Sequence, residues 1–318
     1  MSTNYLHHHK DFSALLSIIE DETGINANLV EKDYWIMHVL YGLKSQGFDF
    51  ELKGGTSLSK GYGIIDRFSE DIDIHIKPPV NFGINENPKN NKPNNIEARR
   101  KFYDWLAETI SFDGIISIER DHAFDDTKYY RSGGIRLHFK SLTDHIEGVK
   151  QGILLEAGFD TVTPNTKLTI SSWAYDKAKE TNSIAIIDNR AIDITCYHPG
   201  YTFVEKLQTI ATKFRQEQSG EKNRPNFMRQ YYDVYCLLGN QKVLNFIGTG
   251  EYHAHKTERF PKIDLEIPIS ENEAFLLHSE VLTNDFKKRY QETSGLYYKG
   301  QPNFEDLLAR IREHINML

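Results

Sequence analysis

The sequence GGTSLSKGYGIIDRFSEDIDIHI, residues 54–76, decides the fold that we expect for this chain. It follows a short run of alternating apolar residues, 48–52, and that alternation predicts a strand. Two adjacent glycines then allow the backbone to turn tightly and to approach a ligand closely. Thr56 and Ser57 supply hydroxyls where a helix would begin. The free N–H groups and the dipole of a helix start favour an anion such as phosphate.

The end of this stretch, EDIDIHI, alternates strictly between polar and apolar residues. On a strand, this period places Asp71, Asp73 and His75 on one face and three isoleucines on the other. The two aspartate Cα atoms would lie roughly 7 Å apart, because each strand residue rises about 3.3 Å. Such carboxylates can converge on two divalent ions about 4 Å apart, as in phosphoryl and nucleotidyl transfer. A solvated strand face and an ordinary glycine turn would explain each part alone, but their order along the chain favours a phosphate and metal site.

The composition indicates a folded protein with room for a sizeable core. Of 318 residues, 39% are hydrophobic and 26% are charged, which fits one large domain or two ordinary ones. No apolar run reaches the length of a membrane span and no signal peptide is recognisable, so we expect a cytoplasmic protein without a membrane partner. The net charge of −7 means that binding of nucleic acid would require a local basic patch.

Cysteine and histidine usage gives two smaller expectations. Cys196 and Cys236 are the only cysteines in the sequence, and their apolar surroundings predict small core residues in a reducing compartment. His7, His8 and His9 could bind a metal, but an exposed polar N-terminus is the favoured interpretation of these three residues.

Glu156 is a further candidate, because it is a carboxylate inside the otherwise apolar stretch GILLEAGF, residues 152–159. A buried charge without a partner is costly. A metal shared with Asp71 and Asp73 would supply that partner. An arginine on a neighbouring strand is the alternative.

An early amphipathic helix carries three charged residues in a row. We expect it to begin near Asn28, with Glu31 completing a capping box. An apolar stripe over residues 29–43 predicts its buried side. Glu31, Lys32 and Asp33 are interpreted as part of the solvated face.

Two later helices hold further charged candidates. Thr202 opens a second capping box, which predicts a helix that begins there, with Lys206 just past its first turn. A lysine near a helix start is unfavourable unless an anion faces it, so we expect Lys206 to contact phosphate and Lys213 to lie on another face. In the next helix Arg229 and Asp233 are four residues apart, a spacing that an intrahelical ion pair alone would explain.

The order of several motifs along the chain resembles the AbiEii/AbiGii toxin family. These motifs are GGTSLSKG, RFSEDIDI, LLEAGF, FVEKLQ and MRQYYDVYCLL, and the earlier EKDYW is also similar, so that the resemblance extends over residues 31–238. The family is a branch of the DNA-polymerase-β-like nucleotidyltransferases found in bacterial abortive-infection and toxin–antitoxin systems. The interval between the Gly-Ser pair and the DxD is longer than in the minimal superfamily pattern and is similar to that of the toxin branch.

The resemblance implies a site assembled from distant parts of the chain. It implies that Asp71 and Asp73 bind Mg²⁺ or Mn²⁺, with Glu156 at the third carboxylate position. It also implies a catalytic Lys206 that reaches the nucleotide phosphates, and an Asp233 that matches the aspartate of the last motif. The implied nucleotide-binding residues are Gly54, Gly55, Thr56, Ser57, Lys60, Lys206 and Arg229.

The activity implied by the resemblance is metal-dependent transfer of a nucleoside monophosphate from an NTP to an acceptor. In some family members the acceptor is the 3′ end of tRNA, and a separate antitoxin protein usually opposes the toxin. Nucleotidylation of a partner protein, phosphoryl transfer to a partner and a non-catalytic NTP-binding module are the alternatives. The intact DxD argues against the last of these, because a binding module has little need of two metal carboxylates.

The expected fold class is α+β. Residues 1–198 would form a polymerase-β-like nucleotidyltransferase core with a mixed sheet and N-terminal helices. Residues 199–318 would form a mainly helical domain that supplies Lys206 and Asp233 across a cleft.

Overall fold

A seven-stranded mixed sheet and many helices make up the computed structural model, and they confirm the expected α+β class. The structure describes residues 4–145, 149–160, 162–180, 185–221, 224 and 226–318. The chain forms two units, one comprising Met1–Tyr62 and Phe68–Tyr197 and the other comprising Gly63–Arg67 and His198–Leu318. The first unit contains the sheet, and the second is built mainly from helices.

The sheet forms because its strands have one or two apolar faces, and these faces bury their side chains in the core. In β2 the isoleucines at alternate positions are fully buried, as the strict alternation predicts. The strand order is β3-β4-β5-β2-β1-β7-β6, with β2 parallel to β5, β1 parallel to β7 and the other pairs antiparallel. The strands are β1 Phe50–Lys53, β2 Asp71–Ile76, β3 Ile115–Asp121, β4 Ser132–Phe139, β5 Ile153–Gly158, β6 Asn165–Ile170 and β7 Ala191–Tyr197.

The helices of the first unit cover this sheet. The two longest of these helices begin at Ala27 and at Pro93. Each of them buries a broad apolar face. The glycine-rich turn forms a short helix that continues as a π-helix, Ser57–Gly61, an irregularity common at functional sites. The helices are α1 Phe12–Thr23, α2 Ala27–Ser45, α3 Gly54–Thr56, α4 Pro93–Thr109 and α5 Trp173–Glu180.

The predicted solvated face of α2 is wrong. Glu31, Lys32 and Asp33 are all buried, with exposed fractions of 0%, 2% and 1%. The predicted capping box is wrong as well, because the side chain of Asn26 caps the helix while Glu31 bonds elsewhere. Charged residues can be buried in this way only when distant parts of the chain supply partners.

Other differences concern the middle of the chain. Within residues 160–198 the sequence alone predicts strands over 184–187 and 191–196, and the structure also contains β6 and α5. Residue 184 lies outside the described residues, and in the rest of that segment Ile186 makes an isolated bridge with Asn4. Cys196 is buried as predicted, but Cys236 is partly exposed.

The second unit contains one long helix and several shorter ones. The long helix begins at Pro199 with His198 as its cap, so the predicted start at Thr202 is wrong and Lys206 lies about two turns inside the helix. In the part of the chain that the structure describes, no helix is long and apolar enough to cross a membrane. The helices are α6 Pro199–Gln218, α7 Arg229–Leu237, α8 Gln241–Phe246, α9 Gly250–Arg259, α10 Lys262–Leu265, α11 Glu273–Leu276, α12 Glu280–Gln291 and α13 Phe304–His314.

Candidate active site

Three carboxylate residues lie on one face of the central strands β2 and β5. Asp71 and Asp73 are two residues apart on β2 and therefore share a face. β5 runs parallel beside β2, and its register places Glu156 directly opposite Asp73. Directly opposed side chains of neighbouring strands project to the same side, with strands about 4.8 Å apart. The sheet therefore places on one face the three carboxylates that the sequence singled out.

The surroundings of Glu156 disfavour its ionised form. Burial raises the pKa of Glu156, and the negative charges of Asp73 and Asp71 raise it further, to about 7. Lys53 and Lys150 oppose this shift but do not cancel it. Burial and the two neighbouring aspartates thus disfavour the ionised form of Glu156, and a divalent cation would offset both effects.

The glycine-rich turn lies directly against this carboxylate face. Gly54 has a φ of +70°, and a Cβ atom at this position would overlap the Asp73 carboxylate. Only glycine therefore fits here. The Thr56 hydroxyl donates to the backbone carbonyl of Asp71 at 2.6 Å, which fixes the turn to the start of β2. Gly55 and Ser57 are buried within the turn.

Lys60 is anchored to helix α2. Its Nζ lies 2.9 Å from Oδ1 of the buried Asp33 and 4.6 Å from the centroid of the Trp173 ring. Asp33 also accepts a hydrogen bond from the Trp173 backbone N–H at 2.8 Å. Burial raises the pKa of Asp33, and Lys60 counteracts that shift. The aspartate of EKDYW therefore holds the lysine of GGTSLSKG in place.

A lysine that the sequence did not point to contacts Asp71. Lys150 Nζ lies 3.0 Å from Asp71 Oδ2 and 3.2 Å from Oδ1. Its backbone N–H donates to Glu70 at 2.9 Å, and its backbone carbonyl accepts from the buried Lys32. Burial lowers the pKa of Lys32 to about 8, and nearby Glu70 opposes that shift. Lys32 and Glu70 thus hold the backbone that presents Lys150 to the carboxylate face.

Glu31 holds residues 141–143, which follow β4. Its carboxylate accepts hydrogen bonds from the Leu142 backbone N–H at 2.9 Å, from the Ser141 hydroxyl at 2.8 Å and from the Thr143 hydroxyl at 2.7 Å. All three charged residues of EKDYW therefore bind segments of the chain that lie near the site or carry its side chains.

In the helical unit, Asp233 of α7 is fully buried between two cations. Arg67 binds it through two hydrogen bonds of 2.7 Å, and Lys206 of α6 lies 3.0 Å from its Oδ2. Burial alone would raise the pKa of Asp233, but Arg67 and Lys206 lower it to about 2. Asp233 is thus ionised, and its charge is matched by Arg67 and Lys206.

Further positive charge lies along the same side of α6. Burial lowers the pKa of Lys213 to about 8, and Arg224, Lys206 and Arg229 lower it in addition. Lys213 is two turns after Lys206, so the two residues share a face of the helix. The prediction that Lys213 lies on another face is therefore wrong, and Lys213 is unsuitable as an inert control for Lys206.

Sequence reasoning missed two residues of these clusters. Arg67 lies within the RFSEDIDI motif, and its position inside a motif was an available signal. Lys150 follows a stretch without periodicity, and nothing in the sequence indicates that it reaches Asp71.

Solved structures that are similar to this chain include the following two. One is MenT4, a nucleotidyltransferase toxin from Mycobacterium tuberculosis H37Rv, at 15% identity and a TM-score of 0.41, with 94% of this chain and 99% of MenT4 covered. The other is an antigenic nucleotidyltransferase-like protein from Paracoccidioides brasiliensis, at 13% identity and a TM-score of 0.38, with 72% of this chain and 87% of that protein covered. No curated protein matches the chain.

A protein-family comparison covers most of the chain. The profile of the nucleotidyl transferase AbiEii toxin, type IV toxin–antitoxin system, matches residues 38–310. The matched region includes the glycine-rich turn, the three carboxylates and Asp233. The family resemblance noted in the sequence is therefore confirmed, and with it nucleotidyltransferase activity, an NTP substrate and an antitoxin as partner. The chain belongs to the AbiEii family of nucleotidyl transferase toxins.

Proposed function

We propose that this nucleotidyltransferase transfers a nucleoside monophosphate from an NTP to tRNA in a reaction that requires Mg²⁺ or Mn²⁺. The observation that carries the metal requirement is the carboxylate face of Asp71, Asp73 and Glu156, where the pKa of Glu156 is raised to about 7. Oxygen donors alone suit these hard cations rather than softer ones. The tRNA acceptor is supported by the family resemblance.

The three carboxylates would hold the metal, which when bound stabilises charge on the attacking and leaving oxygens of an in-line displacement. Lys150 places a positive charge beside Asp71, and this charge would stabilise oxygen atoms that gain negative charge during transfer. Gly54 lets the backbone approach these groups without a side chain in between. The acceptor hydroxyl would attack the α-phosphate and pyrophosphate would leave.

We assign the triphosphate to the glycine-rich turn and to the basic side chains identified above. The backbone N–H groups of the turn, together with Lys60, would neutralise the β- and γ-phosphates. Lys206 would contact phosphate, and Asp233 is a positioning residue that acts through Lys206 and Arg67. The nucleotide-binding set is Gly54, Gly55, Thr56, Ser57, Lys60, Lys206 and Arg229.

The acceptor and the transferred group can be identified in one experiment. The pure protein is incubated with Mg²⁺, total RNA and each NTP in turn, labelled either at the α- or at the γ-phosphate. We expect α-label, but not γ-label, in the tRNA fraction, and no transfer after chelation of the metal. Transfer of γ-label alone would mean phosphoryl transfer, and α-label in protein alone would mean nucleotidylation of a partner; both contradict the proposal.

The toxin family supports a role in abortive infection. The proposed substrates, NTP and tRNA, are found in the cytoplasm, which supports a cytoplasmic location. Expression of the native chain in a bacterial host without the antitoxin should arrest growth, whereas the Asp73→Ala chain should not. With the antitoxin present, the native chain should restrict phage growth. Equal growth arrest by both chains would contradict an enzymatic origin of toxicity.

Lys206→Ala should weaken NTP binding by about 1.5–3 kcal/mol, the value of a hydrogen bond to a charged group. Asp233 keeps its two bonds from Arg67, so the variant should stay folded. Titration with NTP measures the affinity. Lys288→Ala is the matched control, because Lys288 is exposed on α12. Equal affinities of the two variants would contradict the phosphate contact.

A further inference from the structure

A second group of ligand atoms converges at the N-terminal end of the first unit. His7 Nε2 lies 2.7 Å from Asp113 Oδ1, and His8 Nε2 lies 2.5 Å from the same oxygen. One ligand atom from each of these three residues lies within 4.8 Å of the others. In the described part of the chain, this is the only such group of three or more His, Cys, Asp or Glu residues. The sequence interpretation of an exposed polar N-terminus is wrong for His7, whose side chain is 4% exposed.

The group is held by a surrounding hydrogen-bond network. Tyr34 Oη lies 2.8 Å from His7 Nδ1, so the other ring nitrogen, Nε2, is directed toward Asp113. Asn189 donates to Tyr34 at 3.2 Å and lies 2.9 Å from Nδ1 of His38. His38 Nε2 lies 3.0 Å from the backbone carbonyl of Asp113. Metal-binding histidines are usually oriented by such contacts at their second nitrogen.

The backbone next to Asp113 is adapted to this approach. Gly114 has a φ of +77°, and a Cβ atom there would lie 2.8 Å from His7 Nε2 and 2.6 Å from the Trp35 ring. Only glycine therefore lets the loop that carries Asp113 pack against His7.

We propose that His7, His8 and Asp113 bind one Zn²⁺-class transition-metal ion. Two imidazoles and a carboxylate are a typical three-residue zinc set that leaves a fourth position open. Metal–ligand bonds of about 2.0–2.1 Å in a tetrahedron require ligand atoms about 3.3 Å apart. His8 and Asp113 are each 48% exposed and can separate by the fraction of an ångström that this needs.

Bound metal would tie the N-terminal segment to the rest of the first unit. His7 and His8 lie in a short 3₁₀-helix over Leu6–His8, whereas Asp113 lies 105 residues after His8. Each imidazole would lose its Nε2 proton, and His7 would keep the Nδ1 proton to donate to Tyr34. The site is separate from the carboxylate face, so its test requires no nucleotide transfer. The alternative is a purely hydrogen-bonded contact, with both Nε2–H groups donating to Asp113.

The test measures Zn²⁺ binding by the full chain in competition with a chromophoric chelator. Saturating Mg²⁺ is present so that the harder oxygen site is occupied. Compared with the native chain, His8→Ala and Asp113→Asn should weaken Zn²⁺ binding at this site by about a hundredfold or more, given that loss of a mere supporting contact costs 10–100-fold. Zn²⁺ should also raise the melting temperature of the native chain but not of these variants.

His9→Ala is the matched control, because His9 belongs to the same histidine run but lies 3.7 Å from Asp11 instead. It should bind Zn²⁺ as the native chain does. His8 is half exposed, so His8→Ala should fold even if a change at the buried His7 does not. Equal affinity of all four proteins, or an equal loss in His9→Ala, would overturn the assignment, since either result means that no site is formed by these three residues.

Discussion

Replacing Asp73 with asparagine is expected to lower the rate of nucleotide transfer by about a thousandfold or more, with the chain still folded. Asp73 lies opposite Glu156 and two residues from Asp71, so its loss removes a central charge from the proposed metal set. The amide has nearly the same shape as the carboxylate, and the isoleucines that anchor β2 are unchanged. Initial rates with α-labelled NTP, together with far-UV circular dichroism, measure both parts of this prediction.

Asp49→Asn supplies the control for this experiment. Asp49 is an exposed aspartate directly before β1, paired with Lys77 at 2.7 Å, and its side chain is 66% exposed. An exposed ion pair contributes little, so this variant should keep the native rate. If Asp73→Asn retained more than half of the native activity, the carboxylate face could not be the metal site. An equal loss in both variants would point to a general effect of charge.

Much of the sheet around the site could be predicted from the sequence, because its signals are local. The predicted strand EDIDIHI, residues 70–76, differs from the observed β2, Asp71–Ile76, by one residue, because strict alternation has a single structural solution. Glu156 was predicted from a single charge within an apolar strand. The three carboxylates share one face because adjacent strands place opposed residues on the same side, which is a regular property of sheets.

The supporting contacts could not be predicted, because they join distant positions through no fixed spacing. Glu31 bonds to a loop more than 100 residues away, and Asp33 bonds to Lys60 and Trp173. The helix period alone predicts that the three consecutive charged residues of α2 face solvent. The burial of these charges depends on the tertiary structure that surrounds them, which no periodicity encodes.

Contacts between distant positions in the helical unit could not be predicted either. The spacing of Arg229 and Asp233 suggested an intrahelical pair, but Asp233 is neutralised by Arg67 and Lys206. Arg67 is 166 residues away along the chain. The position of Lys206 was also inferred from a helix start that the structure places at Pro199.

Asp233→Asn is expected to lower the free energy of unfolding by about 3–5 kcal/mol, the usual cost of removing one partner of a buried ion pair. Asp233 is fully buried, and Arg67 is 5% exposed. The amide would remove the negative charge that both Arg67 and Lys206 contact, in a medium that solvates their charges poorly. Chemical denaturation of the native and variant chains at neutral pH measures the difference.

The matched control is Asp285→Asn. The native Asp285 side chain is 48% exposed and lies 3.4 Å from Arg289 in the same unit. It should change stability by less than about 0.5 kcal/mol. The pH dependence gives an independent check. The pKa of Asp233 is lowered to about 2 in the folded chain, below the value of about 3.9 expected when unfolded.

The stabilisation by the ionised Asp233 is therefore complete well above pH 4 and is lost as the pH falls toward 2. Over this range the unfolded chain is protonated at Asp233 at a higher pH than the folded chain. The difference between the native chain and Asp233→Asn should narrow over that range, whereas the small difference for Asp285→Asn should barely change. A variant as stable as the native chain at neutral pH, or a difference independent of pH, would mean that the carboxylate charge of Asp233 does not stabilise the helical unit. In that case Asp233 could not be the residue that positions Lys206.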